Sequence, residues 1–214
     1  GNRINPADLH ALEAAISTGE RLRGTVTAFT LGPPSAAEVL TFSYAMGVDQ
    51  GVLLTDPAFA GADVYATSLT LAGGIRAVGE FDLVICGRHA TDGDTGQVGP
   101  AVAEQLDFPH VYNCDGIGEV VDGVLTVTQL FSRERVTLSV RLPAVLVVAD
   151  HAFTPRMPSL KLKLAARNKQ ITRLTLQDLS LGEGDSFGLS GSPTRVVETF
   201  APAPAVREPA RIGT

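Results

Sequence analysis

Residues 81–106 read FDLVICGRHATDGDTGQVGPAVAEQL. Phe81–Cys86 is a short apolar run suited to a buried strand, Val98–Leu106 carries a helical pattern, and a glycine-rich turn joins them. A strand that feeds a helix through such a turn is the unit of an open α/β sheet, in which ligands bind beyond the carboxyl ends of the strands.

The same rhythm runs outward towards the N-terminus. Leu9, Leu12 and Ile16 recur at helical spacing within 6–23, with Pro6 suited to a first turn. Val26–Leu31 reads as a strand, 35–46 as a helix ended by Gly47, and Val52–Thr55 as a buried strand. Asp63 is placed to cap a helix on which Val64, Leu71, Ile75 and Val78 share a face. The fold class is therefore α/β, a doubly wound, mostly parallel sheet covered by helices. Because such a domain ordinarily opens on a strand, a first strand, one wall of the expected pocket, is unaccounted for in a chain that opens on a helix.

Towards the C-terminus the rhythm changes. Ile117–Val121, Val124–Leu130, Val136–Val140 and Ala144–Ala149 are strand-like, and Asp122-Gly123 is a hairpin signal. An antiparallel section over about 110–150 is expected to return to the main sheet. A basic segment, Arg156–Lys169, follows, then a strand expected at Thr194–Val197 and a proline-rich tail from Pro202 to Pro209. The domain is thus expected to span 1–180, with 181–214 as an arm held against a partner.

The 214 residues are 44% hydrophobic and 19% charged, enough for one sizeable core. Seventeen basic against twenty-three acidic residues give a formal charge of −6, which leaves no general footprint for nucleic acid. Cys86 and Cys114 lack metal-ligand or disulfide-framework spacing. The longest apolar run, Ala144–Ala149, falls far short of the roughly 20 residues that cross a bilayer. Gly1–Asp8 lacks the basic start and apolar stretch of a signal peptide. A soluble protein of a bacterial or archaeal cytoplasm, without membrane insertion, is expected.

The candidate binding loop is Arg88, His89, Ala90, Thr91, Asp92, Gly93, Asp94, Thr95, Gly96, Gln97, Val98 and Gly99. Its glycines let the backbone approach an anion, and the amides opening the following helix favour phosphate. Thr91, Thr95 and Gln97 add hydrogen-bonding groups, and Arg88 supplies positive charge. The loop is neither a Walker A loop nor GxGxxG, and on spacing alone it also reads as a glycine-rich connection with Asp92 or Asp94 as a helix cap. A side chain at Gly99 is expected to fill space that the backbone needs beside phosphate. His89 reads first as an ordinary polar contact and second as a sensor of ligand charge. No residue is assigned acid, base or nucleophile duty, and no metal site is expected.

This loop resembles the signature of electron transfer flavoprotein β subunits. Asn5-Pro6-Ala7-Asp8 is similar to that family's segment opening the first helix, and Leu31-Gly32-Pro33-Pro34 to its second nucleotide-contact turn. Ala45–Asp49, Ala60–Asp63, Leu142–Val145, Pro155-Arg156, Pro158-Ser159-Leu160 and Gly191–Thr194 continue the resemblance in order along nearly the whole chain. The resemblance implies an adenine-nucleotide α-hydrolase-like domain paired with an α subunit that carries FAD. The β subunit itself would hold AMP or, in electron-bifurcating members, a second FAD. The run Asp92-Gly93-Asp94-Thr95 followed by Gln97-Val98-Gly99-Pro100 is closer to the bifurcating version, which favours FAD. It further implies cofactor contacts from Asn5, Pro6, Ala7, Asp8, Leu31, Gly32 and Pro33. Also implied are electron exchange with a dehydrogenase, a low-potential acceptor such as ferredoxin or flavodoxin, and Leu160 as a docking leucine in a segment that also carries Arg156, Lys161 and Lys163. Without the resemblance, the alternating Leu160, Leu162 and Leu164 read as an edge strand or an amphipathic segment with its leucines in the core. The family's lysine cluster is thinned here to Arg167, Asn168 and Lys169. Two other classes compete: an adenine-nucleotide-binding regulatory domain without a redox role, and an adenylating ligase.

Overall fold

A computed structural model describes residues 3–179 and 187–201. Helix α1, Pro6–Leu22, starts with proline where its missing N–H costs nothing. Strand β1, Thr27–Leu31, leads through a 3-10 turn into α2, Ala37–Met46, and then β2, Gln50–Leu54. Helix α3, Val64–Val78, is capped as expected by Asp63, whose Oδ1 accepts from Ala66 N at 3.1 Å. Strand β3, Leu83–Gly87, and helix α4, Val98–Leu106, bracket the glycine-rich loop. Four strands come next: β4, His110–Val121; β5, Val124–Leu130; β6, Arg135–Arg141; and β7, Ala144–Val148. The described chain then forms α5, Leu160–Ala166, and β8, Thr172–Leu174.

The mixed α/β class and the mostly parallel core are as expected, but the strands divide between two sheets. One is all parallel, in the order β1-β2-β8. The other runs β3-β7-β4-β5-β6, with β7 parallel to both neighbours and β4, β5 and β6 antiparallel. The ribbon therefore does return to the parallel strands, by way of β7. At its first turn Asp122 and Gly123 both take positive φ, 50° and 75°, the geometry that a two-residue hairpin demands.

The division has a simple cause. Among the described residues β1 pairs with β2 alone and β3 with β7 alone, so the two strands face no common neighbour. Helices join the sheets instead. On α1, Leu9, Leu12 and Ile16 pack towards Ala28 of β1, while Ala11 and Ala14 pack towards Ile85 of β3 and Val148 of β7. On α3 and α4, Ala72, Ile75, Val102 and Leu106 cluster with Phe29 of β1 and Val84 of β3, and Phe29 meets Phe81 edge-on at 5.6 Å. Each fully buried valine, leucine or isoleucine among them contributes on the order of 1.5–3 kcal/mol, and each alanine about 1 kcal/mol or less.

Three expectations need correction. The strand expected at Thr194–Val197 does not form; Val196 and Val197 are exposed, and the segment is tied down only through Thr194. Its β-branched residues favour extension but find no neighbouring strand. On α3, Val78 is exposed, and the buried face is instead built from small residues such as Ala66 and Ala72. Strand β8 was not anticipated, because Thr172, Arg173 and Leu174 show no apolar run. The proline-rich tail lies outside the described residues.

Asp63 also anchors the segment at Ser192 and Thr194. Its Oδ2 accepts from Thr194 N at 2.9 Å and Thr194 Oγ1 at 2.7 Å, while its own N–H donates to Ser192 Oγ. Partial burial pushes its carboxyl up, but the hydrogen bonds from Thr194 and Ala66 outweigh that and hold it below the usual range.

Candidate functional site

The loop between β3 and α4 leaves the sheet at the carboxyl ends of β3 and β7, as its sequence predicts. Its turn closes with Asp94 N donating to Ala90 O at 3.0 Å, and Asp92 Oδ1 accepts from Gly93 N at 2.7 Å. Both aspartates therefore serve backbone or side-chain contacts within the loop, and neither caps α4. Gln97 stands at the helix start without a side-chain cap, and no described group accepts from the Val98 or Gly99 amides. Thr91, Asp92, Gly93, Asp94, Thr95 and Gln97 are exposed, and a side chain at Gly93 would meet only Thr95.

Helix α1 holds the loop's first residues. Asn5, at its N-cap, does not cap the helix; its Nδ2 donates to His89 O at 2.6 Å and to Asp8 Oδ2 at 3.1 Å. Asp8 Oδ1 accepts from Gly87 N at 3.1 Å. The fit is close: a Cβ on Gly87 would lie 2.3 Å from Asp8 Oδ1 and 2.8 Å from the Ala7 backbone, so only glycine lets α1 approach there. Asp8 keeps an exposed edge, yet crowding in this crevice pushes its carboxyl up, against the pull of hydrogen bonds from Asn5 and Gly87.

The loop's basic side chains are already engaged. Arg88 Nη2 lies 2.5 Å from Asp150 Oδ2, and His89 Nδ1 lies 2.6 Å from Asp94 Oδ1, with His89 Nε2 3.5 Å from Asp150 Oδ1. Arg88 is thus a paired charge. Its Nε is the one buried side-chain polar atom without a hydrogen-bond partner among the described residues.

Gly99 serves a different purpose from the one expected. A Cβ there would come within 2.5 Å of Val147 Cγ2 and 3.5 Å of Cys86 Cβ, so the residue presses α4 onto β7 and β3 rather than clearing space beside a ligand. The structure brings Asn5 and Asp8 to the loop, with Pro6 and Ala7 between them in the first turn of α1. Leu31, Gly32 and Pro33 close β1 in the other sheet; Gly32 N donates to Leu54 O, and no hydrogen bond joins this turn to the loop. Sequence reasoning read Gly87 only as part of the glycine-rich stretch, and it missed Asp150 and Tyr112, whose hydroxyl would lie 3.0 Å from a Cβ on Gly96. Of these, Asp150 alone carried a signal, since it is an acidic residue just beyond the end of a buried strand.

The second candidate region is the segment before and within α5. Arg156 is gripped by two carboxylates of α1: Nε and Nη2 donate to Glu13, Nη1 and Nη2 to Glu20, and Glu13 Oε2 also accepts from Arg156 N. These bonds hold the Arg156 guanidinium well above its ordinary value. Ser159 caps α5 by accepting from Leu162 N at 3.1 Å. On this helix Leu160 is 75% exposed and Leu164 55%, so the leucines do not enter the core and no edge strand forms. Lys169 turns inward: its Nζ donates to Val48 O and Asp49 O and sits 4.8 Å over the Tyr44 ring.

Two sheets with strand-helix connections, and a glycine-rich turn opening an uncapped helix at the strand ends, define a mixed α/β protein. The electron transfer flavoprotein domain model matches residues 1–179. The electron transfer flavoprotein subunit beta of Thermoanaerobacterium thermosaccharolyticum is 42% identical over 200 residues, covering 93% of this chain and 76% of that protein. A subunit of the caffeyl-CoA reductase-Etf complex of Acetobacterium woodii, CarD, is 40% identical over the same shares. Protein FixA of Bradyrhizobium diazoefficiens is 36% identical, covering 93% and 71%. The chain belongs to the electron transfer flavoprotein family, among its β subunits. No helix among the described residues is long and apolar enough to cross a membrane.

Proposed function

We propose that the chain is the nucleotide-holding β partner of an electron-transferring heterodimer, with FAD, rather than AMP, seated against residues 88–99. The observation that carries this reading is the pair of unclaimed α4 amides beside an arginine whose Nε is buried and unpartnered, all at the carboxyl ends of parallel strands. A pyrophosphate suits that donor set, and the open space at Gly93 leaves room beside it. FAD, when bound, supplies the redox chemistry.

The chain's own residues bind and orient. The Val98 and Gly99 amides receive phosphate oxygens, Arg88 neutralises their charge, and Asn5 and Asp8 hold the loop's first residues in place. Leu31, Gly32 and Pro33 line the adenine side. Leu160, exposed at the start of α5 between positive charges, docks into an apolar pocket on a dehydrogenase, and the segment following Asp63 and Thr194 reaches an α subunit that carries a further FAD. The likeness of residues 92–100 to the bifurcating members favours a bifurcating assembly, in which a low-potential acceptor such as ferredoxin or flavodoxin takes one electron of each pair, and a relative named as a subunit of a caffeyl-CoA reductase-Etf complex supports assembly with a reductase.

The test is chemical. The chain is co-expressed with its α partner, and the ligands released on denaturation are quantified. Two flavins per heterodimer are expected. One flavin plus AMP would keep the subunit role and remove bifurcation, whereas no nucleotide from this subunit would overturn the proposed site.

A further inference from the structure

Asp150 lies just past β7, the strand beside β3, and faces both basic side chains of the loop. A carboxylate opposite a guanidinium ordinarily closes the fork of Nε and Nη2 with two parallel bonds. Here only Nη2 is engaged, at 2.5 Å from Oδ2, because Oδ1 is turned towards His89. His89 in turn keeps its closer contact with Asp94, 2.6 Å away. Arg88 Nε is left buried without an acceptor, a state that costs free energy for as long as it lasts. The guanidinium is therefore held in a place from which it gains by moving towards a better acceptor.

We infer that Asp150 is an internal stand-in for the anionic ligand: it holds Arg88 while the site is empty and yields it when the phosphate of a nucleotide arrives. This rests on the proposed nucleotide site. Of the carboxylates around the loop, Asp8 is occupied by Gly87 and Asn5, Asp92 by Gly93 and Asp94 by His89, so among the described residues Asp150 alone pairs with Arg88. The exchange makes Asp150 a residue that tempers phosphate affinity: Arg88 supplies the preference for phosphorylated over unphosphorylated adenine compounds, and Asp150 reduces it, because only a phosphate has to displace the carboxylate.

The experiment titrates AMP, FAD and adenosine by calorimetry into the full chain, in complex with its α partner and freed of bound nucleotide, with FAD read in place of AMP if AMP alone does not bind. Wild type, Asp150→Asn, Asp150→Glu, Arg88→Ala and the Arg88→Ala/Asp150→Asn double variant are compared. Asp150→Asn is expected to bind AMP about fivefold more tightly, the worth of a partly exposed ion pair, with adenosine unchanged. Asp150→Glu is expected to restore the wild-type ratio of the two affinities. In the Arg88→Ala background the gain from Asp150→Asn should vanish, because the competition it relieves is gone. An equal gain with and without Arg88 would mean only a general relief of negative charge and would overturn the exchange. Weaker AMP binding by Asp150→Asn, or a parallel change for adenosine, would make Asp150 a mere support of the loop and overturn it too. Should wild type bind AMP and Asp150→Asn bind it no more tightly, the exchange alone falls. Should wild type bind neither AMP nor FAD, the nucleotide site falls and the exchange with it.

Discussion

The loop after β3 and the segment around α5 are both hung on α1, but by opposite means. At the N-terminal end of the helix, Asn5 and Asp8 hold the loop through single neutral or half-exposed hydrogen bonds to His89 O and Gly87 N. Further along it, Glu13 and Glu20 seize Arg156 with charge-assisted bonds, and the Glu13 side chain is only 11% exposed. Glu13 thus holds its cation from a mostly buried position, whereas the bond from Gly87 N to Asp8 lies exposed to solvent. The proposed ligand loop is polar and held by few bonds, while the proposed docking segment is anchored through a mostly buried carboxylate and presents leucine.

The comparison can be broken or sharpened by substitution. The largest effect is expected from Gly99→Val, which drives a side chain into Val147 and should lower stability by about 3 kcal/mol, read as a fall in the urea midpoint. Unchanged stability would show that α4 is not seated on the sheet as described. Arg156→Ala comes next: it strands Glu13 in a mostly buried position and should cost about 2 kcal/mol, less than a fully buried pair because Glu20 can return to water. Nucleotide retention should survive it, and a parallel loss of nucleotide would mean that the two regions are not separable. Asn5→Ala should cost about 1 kcal/mol and act the other way, loosening nucleotide retention in equilibrium dialysis while capture of the partner dehydrogenase is kept. Leu160→Ala is expected to leave stability within about 0.5 kcal/mol, since the side chain touches little of the core. Dehydrogenase capture measured by surface plasmon resonance should nonetheless weaken, and full capture by that variant would remove Leu160 from the interface.

Much of the fold was legible because its signals are local. The apolar run of β7, the bounds of β5 and α4, the Asp63 cap and the Asp122-Gly123 turn arise from side-chain pattern and backbone preference within a few residues. The split into two sheets was legible only in part: a chain that opens on a helix left a first strand unaccounted for, but nothing in Thr27–Leu31 or Leu83–Gly87 says that theirs are the edges without a common neighbour among the described residues. At the site, the glycine-rich loop announced itself, but its tethers did not. Asn5 with His89, Arg88 with Asp150 and Arg156 with Glu13 join residues far apart in the chain, and a charged residue alone does not name its counterion. Val196 and Val197 failed in the reverse direction: their local preference was clear, and no neighbouring strand was there to use it.

The missing side chain of Gly99 has one more implication. Since α4 rests directly on Val147, the height of its first amides above the strands is inherited from the core and owes little to the wording of the turn before it. Residues 91–95 can therefore drift over evolutionary time, or be rewritten by an engineer seeking a different cofactor preference, while the donors at the helix start stay where they are.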